Sequence, residues 1–93
     1  MMQEMEYLAV VEYAGSGFSI YFPDLPGCTS AGRTLDEVRA HGTHALKGYL
    51  EALYDRELSL PAPSSLDRIR AITPERDVLI EPVRLPAFAV DVA

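Results

Sequence analysis

Apolar and polar positions alternate twice near the start of the chain. In residues 6–13 (EYLAVVEY), Tyr7, Ala9, Val11 and Tyr13 fall on one face, and Leu8 and Val10 on the other. A period of two is that of a β-strand. Ala14-Gly15-Ser16-Gly17 is a turn signal, because glycine takes φ > 0 without penalty. Residues 18–22 (FSIYF) alternate again, with Phe18, Ile20 and Phe22 on one face and Ser19 and Tyr21 on the other. The two runs predict an antiparallel hairpin. Both strands carry apolar residues on both faces, and one helix covers only one of them. The other face needs a second cover, for which a partner chain is the natural candidate.

Pro23-Asp24-Leu25-Pro26-Gly27 reads as a rigid corner, and Cys28 to Ala31 is long enough for a short third strand. Thr34 followed three residues on by Glu37 is a capping box, and Asp36 suits the positive end of a helix dipole. The helix is predicted over about 35–55. At 100° per residue, Leu35, Val38, Gly42, Ala45, Leu46, Tyr49 and Leu53 form one stripe. Asp36, Glu37, Ala40, His44, Lys47, Glu51 and Asp55 take the opposite side. Gly42 sits in the apolar stripe at a cost of about 1 kcal/mol relative to Ala; the expected return is close approach of helix to sheet.

The segment 60–65 (LPAPSS) is a stiff loop, after which Ser65 caps a short turn, Leu66 to Ile72. Residues 77–85 (DVLIEPVRL) predict a last strand, which Pro82 confines to a sheet edge. Residues 86–93 (PAFAVDVA) are apolar and very short. A strand that follows a helical crossover can pair in parallel with the first strand, leaving it at the edge. The expectation is an α+β domain of order β-β-β-α-β: a small, mainly antiparallel sheet of about four strands packed by one long helix. At 93 residues it is a single domain. Stability is modest at this size, and oligomerisation as a homodimer or higher would add to it.

Charge narrows the function classes. Eight Lys and Arg stand against 14 Asp and Glu, a formal charge of −6. Such a chain is poorly suited to holding phosphate backbones, so no direct nucleic-acid binding is expected, whereas a basic partner protein would be steered towards it. The single cysteine, Cys28, rules out an intramolecular disulfide framework and a Cys-rich zinc site, and it fits a reducing, cytoplasmic setting. Met1 to Tyr7 lacks the basic region of a signal peptide, and no apolar run reaches the ~18–20 residues of a membrane span.

Candidate chemistry is sparse. His41 and His44 lie three apart on the helix, about 60° around its axis, but no further Cys or His completes a metal site. Cys28 reads as a small buried hydrophobe rather than a nucleophile. Glu12, Asp24 and Asp77 fall near strand ends, where a two-metal nuclease would gather carboxylates. Gly15-Ser16-Gly17 lacks the following helix and the lysine of a phosphate loop. No catalytic residue, metal or cofactor is expected.

The string 22–28 (FPDLPGC), followed by Gly32-Arg33-Thr34-Leu35-Asp36-Glu37 and by 60–64 (LPAPS), resembles the signature of the HicB family of antitoxins. The likeness covers about residues 6–85. It implies a partial RNase H-like fold without nuclease activity, acting in a type II toxin–antitoxin pair. The implied partner is a small, basic, mRNA-cleaving toxin of HicA type, whose RNA-binding surface the antitoxin occludes. Many members of that family continue into a C-terminal DNA-binding domain, and none is evident in this sequence. The expected partner-binding residues are the acidic rim Asp24, Asp36, Glu37 and Glu51. Two other functions fit the same pattern: an oligomeric regulatory domain without a toxin, and a residual metal-dependent nuclease.

Overall fold

The computed structural model describes residues 2–89, and the side chains of 5–85. The elements are β1 (Met2–Tyr13), β2 (Phe18–Tyr21), β3 (Thr29–Gly32), α1 (Leu35–Asp55), α2 (Leu66–Ile72) and β4 (Leu79–Ala89). Residues 90–93, the end of the apolar tail, lie outside the described residues.

The four strands form one sheet in the order β3-β2-β1-β4, with every neighbour antiparallel. The parallel pairing expected for the last strand is therefore corrected. The reason is α2. α1 carries the chain from the Gly32 end of the sheet to the other, and α2 carries it back. β4 then enters beside Val11 and runs down to Met2. Two helical segments, not one, separate β3 from β4, and the last strand therefore runs antiparallel to β1. Pro82 does sit in an edge strand, where its missing N–H breaks no inner ladder.

α1 starts and stops as its sequence directs. The Thr34 hydroxyl accepts from the Glu37 N–H at 3.1 Å. The Glu37 carboxylate accepts from the Arg33 N–H at 3.3 Å, one residue before the cap. At the other end Leu58 N–H donates to Leu53 C=O and Glu57 N–H to Tyr54 C=O. That is a Schellman closure, with Glu57 in the left-handed position that glycine usually fills.

Tyr7, Ala9, Val11, Ile20, Phe22, Val83 and Leu85 face α1, and Val38, Leu46 and Leu50 of α1 pack onto them, all nearly inaccessible. Leu50, absent from the predicted stripe, completes it. Gly42 does permit close approach: a Cβ there would lie 2.6 Å from Ile20 Cδ1.

The second face finds its cover within the chain. Val10 and Ile69 are both fully buried, and the Tyr21 side chain lies beside Thr73, just past α2. Val10 and Tyr21 are register partners and share that face. Hence α2 lies against the side of the sheet opposite α1.

Candidate interaction surface

The outer face of α1 is the surface to build from. Asp36, Ala40, His44, Lys47, Gly48, Glu51, Ala52 and Asp55 are all exposed, and Glu37 is half-buried. Two features of this face oppose helix stability. The last turn holds Asp55 and no base, at the end where a helix dipole is negative, and only Arg56 at the cap offsets it. Gly48 occupies mid-helix although a Cβ there would meet nothing within 4 Å. Unlike Gly42, it is not needed by any internal contact, yet it costs about 1 kcal/mol relative to Ala.

The four acids expected at the interface do not form one cluster. Asp36 and Glu37 sit together in the first turn of α1. Glu51 is fifteen residues from Asp36, roughly 22 Å along the axis at 1.5 Å per residue. Asp24 is in the corner between β2 and β3, and both its oxygens are engaged. Oδ2 accepts from the Ser64 N–H at 2.7 Å and Oδ1 from the Ser64 hydroxyl at 2.6 Å. Its charge is thus directed inward, onto the loop between α1 and α2. Of the two bases on α1, Arg39 is tied to Glu81 of β4 through two bonds, 2.8 and 3.1 Å long. Lys47 remains in the middle of the acidic face.

The other candidates fall apart as chemistry. His41 Nδ1 donates to the carbonyl of Ala31 in β3 at 2.7 Å, while His44 points outward, so the pair does not converge. Cys28 is buried, and desolvation pushes its thiol up to about 11, which keeps it protonated at neutral pH. The Glu12 carboxylate accepts from the Ser19 hydroxyl at 3.4 Å. Among the described residues no group of three or more His, Cys, Asp or Glu is placed to hold a metal ion. Among them, too, no helix is long and apolar enough to cross a membrane.

Sequence reasoning missed the partners of its own motifs. Tyr7 OH donates to the Pro61 carbonyl across the chain, and Asp24 takes Ser64. The FPDLPGC corner and the LPAPS loop are therefore joined. The stiff, donor-poor character of both segments was visible; which acid met which serine, 40 residues apart, was not.

Residues 7–86 match the family described as HicB_like antitoxin of bacterial toxin-antitoxin system. Among solved structures the chain is similar to the HicA3 and HicB3 toxin-antitoxin complex, with 27% identity and a TM-score of 0.67, over 84% of this chain and 94% of that one. It is also similar to the N-terminal domain of Burkholderia pseudomallei antitoxin HicB. There the TM-score is 0.71 at 22% identity, over 95% of this chain and 100% of that one, a likeness of fold. An uncharacterized 14.9 kDa protein from the rep-hol intergenic region of Haemophilus phage HP1 is 30% identical over 64 residues. That stretch is 69% of this chain and 48% of the phage protein, so the chain spans about half the length of that relative.

Proposed function

The chain belongs to the HicB-like antitoxin family of bacterial toxin–antitoxin systems, and from that premise we propose that it binds and occludes a small, basic HicA-type toxin while breaking no bond itself. Residues 7–86, the span that matches the family, act as one antitoxin domain. Supporting the partner's identity is the likeness to a chain of a HicA3 and HicB3 complex. The docking surface is the outer face of α1, with Asp36, Glu37 and Glu51 as the contacting charges. Asp24 serves the same surface indirectly, by fixing the corner and loop beneath it.

The reading of this surface rests on Gly48, which no internal packing requires, beside acids at the negative end of α1 that only Arg56 offsets. A cationic cleft that binds RNA phosphates presents the complementary charge, and carboxylates held in the same place compete for it. Catalysis by this chain is not part of the mechanism, which is steric and electrostatic exclusion in the cytoplasm.

Co-expression and pull-down with the product of the adjacent gene tests the pairing: a small basic protein should co-purify. Stopped-flow mixing tests the mechanism. Association should slow progressively as ionic strength rises from about 0.05 to 0.5 M, because the Debye length contracts from roughly 14 to 4 Å. An association rate indifferent to salt would remove charge steering from the account.

A further inference from the structure

Two large apolar side chains stand open at the end of the sheet where α1 begins. Tyr13 is 67% exposed and Leu79 46%, and neither belongs to the core. Leu79 is the register partner of Val11, which faces α1. Alternation puts Tyr13 on that same face, diagonally across from Leu79 and within reach of it. Phe18, the partner of Tyr13 in the register, continues the apolar surface onto β2.

α1 walls this floor. Arg39 bonds Glu81 of β4, and Leu35, one turn earlier on the same flank of the helix, is half-buried against the core. The result is a shallow apolar corner, floored by Tyr13 and Leu79 and backed by Leu35. The Tyr13 ring is already held there. Its hydroxyl donates to the Gly15 carbonyl, and the ring packs edge-to-face with Phe18 at 5.5 Å between centroids. A side chain fixed in this way loses little freedom when a partner covers it.

Charge decides what covers it. The Arg39 cation is answered by Glu81. Asp36, three residues before Arg39 on α1, and Asp77, two residues before Leu79, are both exposed and make the rim negative. Of the neighbouring bases, Arg33 lies by β3, and Arg76 lines a hollow with Ile80 on the α2 side. An acidic rim repels RNA phosphates, and it repels a second copy of a chain whose formal charge is −6. A cationic protein surface that carries an apolar side chain at its centre fits both the floor and the rim.

We propose, on the reading of this chain as a toxin-binding antitoxin, that this corner is the apolar centre of the toxin interface, with Tyr13 and Leu79 as its anchors and the outer face of α1 as its charged margin. The acids on α1 guide the approach. The corner holds the complex, because desolvated aromatic and aliphatic contacts at the centre of an interface outweigh charges at its rim.

The test is calorimetric titration of a purified HicA-type toxin with the whole chain, as wild type, Tyr13→Ala, Leu79→Lys and Ile72→Lys. Ile72 is just as open, 54% exposed, but belongs to α2 on the other side of the sheet, so it controls for the added charge. Tyr13→Ala and Leu79→Lys should each weaken binding at least about tenfold, and Ile72→Lys by no more than about threefold. Wild-type affinity in folded Tyr13→Ala and Leu79→Lys would overturn the corner and leave toxin binding standing, as would an equal loss in Ile72→Lys and Leu79→Lys. A wild-type chain that does not bind the toxin would sink both. Should either corner variant lose its fold, hydroxyl-radical footprinting of the wild-type complex decides. Tyr13 and Leu79 should be protected by the toxin while Ile72 stays as reactive as in the free chain; unprotected Tyr13 and Leu79 would overturn the proposal.

Discussion

Gly32→Ala should destabilise the domain by about 1–3 kcal/mol. A Cβ on Gly32 would lie 2.5 Å from the Val38 nitrogen and 2.8 Å from its Cα. Both are backbone atoms of the first turns of α1, so no rotamer change relieves the clash. The helix must move off β3, and Val38, fully buried, must move with it. Gly42→Ala is the internal control. There the Cβ meets the terminal methyl of Ile20, which can rotate, and the helix regains about 1 kcal/mol of intrinsic propensity. Chemical denaturation of the two variants should therefore show a large loss for Gly32→Ala and a small one for Gly42→Ala. Equal losses would mean that α1 is not seated on β3 as described.

Gly48→Gln should separate stability from binding. Glutamine is a good helix former, and nothing inside the domain meets a side chain at this position. The variant should be more stable than the wild type by roughly 0.5 kcal/mol. If a toxin docks on the outer face of α1, the same side chain obstructs close approach and weakens binding on the order of tenfold, ~1.4 kcal/mol. Calorimetric titration and thermal unfolding of one preparation read both effects. Undiminished affinity in the stabilised variant would move the docking surface away from α1.

Much of the scaffold was legible because its signals are local. The capping box at Thr34 and Glu37 marked the start of α1, and the 3.6-residue period marked its buried face. The role of Gly42 followed from its place in that stripe. The direction of β4 was not legible, because it depends on whether seven residues, Leu66 to Ile72, turn the chain around or merely continue it. Nor was the cover of the second face. Ile69 is fully buried, yet it lies between exposed neighbours in a helix too short to show a period. For the candidate surface, acidic residues could be named but not placed. Asp24 looked like part of a charged rim, and its partnership with Ser64 turns it inward. Gly48 drew no notice, since only the structure separates a glycine that packing requires from one that packing ignores.

The most direct measurement of the central claim is RNA cleavage by a purified HicA-type toxin, titrated with the purified chain. Cleavage should fall linearly and stop near an equimolar amount, while the chain alone leaves the same RNA intact. A toxin that remains fully active in excess of this chain, or RNA degraded by this chain without the toxin, would contradict it.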